Sequence, residues 1–176
     1  MNPSPKTILG ICGSTRKVSA NAMILKAIEK LAGRQWQFRL YPITDLPYFN
    51  QDITDELLPS SVNDLRKAIA AADGVLICTP EYIFSLPGIL KNALEWTVSS
   101  TVFSDKPTAL ITASSSGEKA HESLLLVMKT LGVKTNDDLC LLISGVKSKL
   151  DANGEITQPN LQAQLQSLVE ALNALL

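Results

Sequence analysis

An apolar run at Ile8, Leu9, Ile11 and Cys12 stops at Gly13 and gives way to Ser14, Thr15, Arg16, Ser19 and Asn21. Apolar positions then return at helical spacing, Met23, Ile24, Ala27, Ile28 and Leu31, so the pattern predicts strand, polar turn and amphipathic helix. Trp36–Ile43 reads as a second strand with partial alternation. The polar stretch Thr44–Ser61 follows, and a connection of that length is usually functional or self-packed. Val62–Ala72 is predicted as a helix with Leu65, Ala68, Ile69 and Ala72 on one face. Gly74–Cys78 is continuously apolar, as a strand covered on both faces would be, and it ends at Thr79-Pro80-Glu81-Tyr82. Pro87 marks the start of a further helix whose apolar face is Ile89, Leu90, Ala93, Leu94 and Thr97. Thr108–Ala113 is the fourth strand, followed by Ser114-Ser115-Ser116-Gly117 and a helix from Lys119 to about Leu131 that Gly132 stops. Leu139–Ile143 is the fifth strand and Leu161–Leu176 the closing helix.

Strictly alternating strands and helices predict an α/β domain over residues 1–176, a doubly wound parallel sheet of five strands with helices on both faces. The natural strand order is 2-1-3-4-5, which places ligands outside the carboxyl ends of the strands, at the switch point between strands 1 and 3. The loops Gly13–Asn21, Thr79–Ser85 and Ser114–Gly117 then share one sheet edge.

The first of these loops has the chemistry of an anion site. Free backbone N–H groups and the positive end of the helix dipole face the strand end, and Ser14, Ser19, Asn21 and Arg16 can donate to phosphate oxygens. The alternative is that Ser19 or Asn21 only caps the helix and Arg16 is a solvated charge. The loop is neither the three-glycine dinucleotide fingerprint nor a P-loop, because Gly10 and Gly13 are three apart and no Gly-Lys-Ser/Thr is present. Side-chain donors of this kind suit a terminal phosphate monoester better than an embedded pyrophosphate.

Composition narrows the partners. In 176 residues, 45% are hydrophobic and 19% charged with a net charge of −1, so no basic patch points to nucleic acid or an anionic membrane. The start MNPSPK lacks a signal pattern and no apolar run nears the ~18 residues of a membrane span, which predicts a cytoplasmic protein. Cys12, Cys78 and Cys140 form no C-x-x-C pair and read as small buried residues, and the lone His121 has no metal-ligand spacing, so no metal site is expected.

At the segment Pro80–Trp96 the chain resembles a known family, the NAD(P)H-dependent FMN reductases of flavodoxin-like fold, which include quinone, azo-dye and chromate reductases. The family pattern G-S-x-R-x-x-S-x-N is met by Gly13, Ser14, Arg16, Ser19 and Asn21. The pattern P-E-Y-N-x-S-x-P-G-x-L-K-N-A-I/L-D/E-W is met by Pro80, Glu81, Tyr82, Ser85, Pro87, Gly88, Leu90, Lys91, Asn92, Ala93 and Trp96. The stretch LPYFNQDI is similar to the family's L-P-x-Y/F-N-x-D. The resemblance runs from Lys6 to about Leu131.

It implies that Ser14, Arg16, Ser19, Ala20 and Asn21 hold the FMN phosphate. It implies that Pro80, Glu81, Tyr82, Ile83 and Ser85 run along the flavin ring, with Ser114, Ser115, Ser116 and Gly117 at its edge. It further implies hydride transfer from NADPH or NADH through FMN to a small-molecule electron acceptor, in a homodimer or homotetramer to which the loop Thr44–Ser61 contributes. Chemistry on the flavin needs no dedicated nucleophile or base, and no catalytic side chain is assigned. Glu81 reads as structural, through a salt bridge across a subunit contact, and Lys91 and Asn92 read equally as site residues or as a solvated helix face. Two departures stand out: Ile83 replaces the family's Asn, and Ser114–Gly117 lacks the Gly-Gly that commonly follows the fourth strand. Ile83 either faces the pocket mouth or packs on a neighbouring subunit. Two other functions share the topology: a flavodoxin-type electron carrier, disfavoured by the near-neutral charge and Arg16, and a nucleoside-processing enzyme with Glu81 as nucleophile.

Overall fold

The computed structural model describes residues 4–176; the first three residues of MNPSPK lie outside the description. Five strands, β1 (Lys6–Cys12), β2 (Trp36–Tyr41), β3 (Gly74–Thr79), β4 (Thr108–Ser114) and β5 (Cys140–Ser144), form one sheet of order β2-β1-β3-β4-β5. Every pairing is parallel, so the predicted order and doubly wound architecture are borne out. The helices are α1 (Ala20–Ala32), α2 (Ser60–Ala71), α3 (Gly88–Glu95), α4 (Glu118–Thr130) and α5 (Pro159–Leu175).

The strand sequences explain their places. All six residues of β3, GVLICT, are buried, because this strand lies at the centre and carries helices on both faces. In β2 the side chains alternate only in part, and Gln37, Arg39 and Leu40 are exposed, as an edge strand allows. Successive residues face opposite layers. Ile8, Leu76, Cys78, Ile111 and Ile143 pack with Ile24 and Ile28 of α1 and Leu165, Leu168 and Leu172 of α5. Leu9, Ile11, Val75, Ile77 and Leu110 pack with Leu65 and Ile69 of α2, Leu90 and Leu94 of α3, and Leu124 and Met128 of α4. Each such side chain taken fully out of water contributes roughly 1.5–3 kcal/mol against the chain entropy.

Helix α2 begins two residues before the first apolar position used to predict it. Pro59 caps it in extended backbone, and its carbonyl accepts from the N–H groups of Val62 (3.0 Å) and Asn63 (3.1 Å). The buried Arg66 was not foreseen. Its Nε donates to the Trp96 carbonyl (2.9 Å), Nη2 to Ser99 Oγ (2.7 Å) and Nη1 to Asp55 (2.8 Å), joining α2 to the end of α3 and to the long connection before α2.

Candidate functional site

All strands point the same way, so the loops after β1, β3 and β4 meet at the carboxyl edge of the sheet, and a cavity of about 360 Å³ opens there. That size lies in the range of small-molecule sites. The walls include Ser14, Arg16, Ser19, Ala20 and Asn21 from the first loop, Pro80, Glu81 and Tyr82 from the second, and Ser114 and Ser115 from the third. Ile83, Ser85, Ser116 and Gly117 do not line it. A fourth wall, Val146, Lys147, Leu150 and Asp151, comes from the segment after β5 and was missed by sequence reasoning. Its signal was topological: in a parallel sheet the loop after the last strand emerges on the same edge.

The first loop is pressed against β3. Gly13 N–H donates to the Cys78 carbonyl (2.8 Å), and a Cβ on Gly13 would come within 2.8 Å of Thr79 Cβ, so only glycine fits the crossing. Ser19 is the N-cap of α1, its Oγ accepting from Ala22 N–H at 3.5 Å. Met23 N–H is bound to the Ser19 carbonyl, which leaves the N–H groups of Ala20 and Asn21 as the free donors of the first turn.

The side chain of Asn21 faces the sheet rather than a ligand. Its Nδ2 donates to the Ala113 carbonyl (3.2 Å) and its Oδ1 accepts from Cys78 Sγ (3.2 Å), so the amide sews α1 to β3 and β4. Arg16 is exposed and has no ion-pair partner among the described residues. A dianion at this helix end therefore meets two free N–H groups, a helix dipole and an unpaired guanidinium, a donor set that fits a phosphate monoester.

The other two loops are tied to each other. Glu81 N–H donates to Ser114 Oγ (3.2 Å), while the Glu81 carboxylate accepts from Ala120 N–H (2.9 Å) and Gly117 N–H (3.4 Å). The carboxylate thus has a structural role within the chain, at the first turn of α4. Ser115 and Ser116 turn their carbonyls to β5 and the residue after it, accepting from Gly145 N–H (3.0 Å) and Ser144 Oγ (2.8 Å). Tyr82 and Ser85 exchange both backbone hydrogen bonds (3.0 and 3.1 Å) across a turn in which Ile83 (φ 50°) and Phe84 (φ 55°) are left-handed, a type I′ geometry. The turn sends Ile83, 97% exposed, into solvent instead of the cavity.

The remaining motif residues support the site from outside. Asn92 accepts from Phe49 N–H (2.7 Å) and donates to the Pro47 carbonyl (2.9 Å), which also accepts from Trp96 Nε1 (2.8 Å). Phe49 meets Trp96 edge-on, with ring centroids 5.2 Å apart. These residues of α3 hold the long connection before α2 against the body. Lys91 pairs with Glu95 one turn on. The cysteines are free, and Cys12 and Cys78 are register partners on β1 and β3. Burial pushes the thiols of Cys12, Cys78 and Cys140 up, away from the reactive thiolate. Among the described residues no group of His, Cys, Asp or Glu could hold a metal ion, and no helix is long and apolar enough to cross a membrane.

Residues 7–146 match the family model for NADPH-dependent FMN reductase. An NAD(P)H-dependent FMN reductase of Pseudomonas aeruginosa is 31% identical over 170 residues, 94% of this chain and 92% of that one. A 2-hydroxy-1,4-benzoquinone reductase of a Burkholderia species is 33% identical over 166 residues, 91% and 90% of the two chains. Among solved structures, the flavoenzyme NAD(P)H:(acceptor) oxidoreductase FerB from Paracoccus denitrificans superposes with a TM-score of 0.79 at 30% identity, covering 95% of this chain and 94% of that one. A flavodoxin-like sheet and a phosphate-ready helix end, met by a family match over that much of the chain, leave one assignment: this oxidoreductase belongs to the NADPH-dependent FMN reductase family, whose cofactors are FMN and NAD(P)H.

Proposed function

We propose that the chain acts as a single flavodoxin-like domain over residues 1–176. It holds FMN in the cavity at the carboxyl edge of the sheet and passes reducing equivalents from NAD(P)H to small electron acceptors, quinones foremost. The observation that carries this reading is the free donor set at the start of α1, Ala20 N–H, Asn21 N–H and Arg16, in the wall of a cavity also lined by the loops after β3 and β4. FMN, when bound there, would supply the redox chemistry that links NAD(P)H to the acceptor.

The protein's part is positional. Arg16 and the first turn of α1 grip the phosphate, Ser14 adds a hydroxyl, and Ser19 keeps that turn open by capping it. Pro80 and Glu81 offer carbonyl oxygens and Tyr82 one aromatic face to the ring, and Tyr82, 44% exposed, borders both cavity and solvent. No side chain needs to act as acid or base. The relatives' names support quinones as acceptors. Glu81, hydrogen-bonded through both carboxylate oxygens, is not a free nucleophile, which counts against the nucleoside-processing alternative.

The reading extends to a cytoplasmic homodimer or homotetramer. It is supported by exposed apolar groups at Tyr48, Ile83, Phe84, Val98 and Leu126, and by an apolar groove between α3 and α4 lined by Phe49, Leu94, Val127 and Leu131. The test of function is direct. Purified protein should show flavin absorption and oxidise NAD(P)H in the presence of a quinone. Arg16→Ala should weaken FMN by about 1.5–3 kcal/mol and leave riboflavin nearly unchanged in fluorescence titration. Equal losses for the two ligands would show that Arg16 does not read the phosphate.

A further inference from the structure

Helix α4 has no cap of its own. Its N-cap is Gly117 at φ 97°, which offers no side chain. A side chain there would be strained at that φ and would crowd Leu142 Cδ1 at 2.9 Å and Thr112 Cγ2 at 3.1 Å. The missing acceptor comes from far away in sequence, from Glu81 at the end of β3. Its Oε2 takes Ala120 N–H at 2.9 Å and its Oε1 takes Gly117 N–H at 3.4 Å, while its own N–H binds Ser114 Oγ at 3.2 Å. Three hydrogen bonds from one residue therefore span the gap between the loop after β3 and the loop after β4. A carboxylate at a helix N-terminus also meets the positive end of the dipole, which strengthens the contact.

We infer that Glu81 is a positioning residue for the flavin: by capping α4 from across the site it sets the separation of the two loops that receive the ring. Both loops line the cavity, through Tyr82 on one side and Ser114 and Ser115 on the other. The inference rests on the reading that this cavity takes FMN. It assigns to Glu81 a role in ring recognition that is distinct from the phosphate grip of Arg16, because Glu81 acts through the loops after β3 and β4 and Arg16 through the loop after β1.

Removing the carboxylate leaves the N–H groups of Gly117 and Ala120 without an acceptor and loosens the start of α4, while the backbone bond from Glu81 N–H to Ser114 Oγ remains. Glu81→Gln keeps one acceptor oxygen but turns an amide NH2 towards an N–H, so it restores the clamp in part. Glu81→Asp is one methylene short of both donors.

The test is flavin binding by fluorescence titration to the wild type and to Glu81→Ala, Glu81→Gln and Glu81→Asp. The visible spectrum of each complex and hydrogen exchange of the flavin-free proteins are measured alongside. Glu81→Ala should weaken FMN and riboflavin by the same factor, about tenfold to a hundredfold, since both carry the ring. Glu81→Asp should behave like Glu81→Ala, and Glu81→Gln should recover part of the loss. The flavin band should change shape, and the amides of Gly117 and Ala120 should exchange faster.

A folded Glu81→Ala protein that binds both flavins as tightly as the wild type, with an unchanged spectrum, overturns the proposal. If Glu81→Ala does not fold, Glu81→Gln decides by the same two criteria. A wild type that binds no flavin overturns the FMN reading itself, and the two failures are distinguishable because only the second involves the unaltered chain.

Discussion

Ile83 carries the clearest conflict between a residue and its backbone. A β-branched side chain at φ 50° is sterically disfavoured, and the type I′ turn it occupies prefers Asn or Gly at that place. An Asn, the residue in the family pattern, would suit this left-handed backbone better. In dilute protein, Ile83→Asn should raise thermal stability by about 1 kcal/mol, the scale of a left-handed penalty relieved. A lower midpoint in a dilution series would contradict the strain assigned here. His121 offers a second test. Its Nδ1 lies 3.0 Å from Thr112 Oγ1, and burial holds its pKa below the ordinary 6.5. The unfolded chain therefore takes up the proton first as the pH falls. The stability contributed by the neutral ring is complete above about 6.5 and is lost on descending from there towards the lower folded value. Urea midpoints should drop between about pH 7 and pH 5, and His121→Gln should flatten that part of the curve.

At the scale of elements, α3 and the connection before α2 form one working unit. Asn92 uses both ends of its amide on Phe49 and Pro47, and Trp96 adds its indole N–H and an edge-on ring contact. Asn92→Ala should cost about 1–3 kcal/mol and raise protease cleavage within residues 44–59, while the sheet keeps its hydrogen-exchange protection. Intact resistance of that segment would show the anchor to be redundant. The two-sided apolar runs were legible in the sequence, because a strand such as GVLIC between polar loops has few other readings. The polar loop after β1 was legible as a cavity wall too, through polar groups clustered after a strand. What could not be read were partnerships fixed by three-dimensional proximity: Glu81 with α4, Asn21 with Cys78, Arg66 with Trp96. Each joins residues 30 or more positions apart, and no local pattern encodes which distant backbone group a side chain will meet.

For the molecule as a whole, the sheet gathers four loops on one edge, one of them bearing the exposed Ile83-Phe84 tip, and the α3–α4 side bears an apolar groove. The fold thus keeps its lined cavity at the strand ends and its apolar groove on the flank. That turn has a consequence for how the protein should melt. If association buries this tip, a lone chain leaves two apolar groups in water that an assembled chain covers, while the backbone strain is the same in both. Folding and association then share one equilibrium governed by mass action, and the melting temperature becomes a function of protein concentration. The wild-type midpoint should climb as the logarithm of concentration. Ile83→Asn, relieved of strain but poorer in contact surface, should start higher and climb less, so the two lines cross. Parallel or flat lines in a calorimetric dilution series would mean that this tip takes no part in holding subunits together.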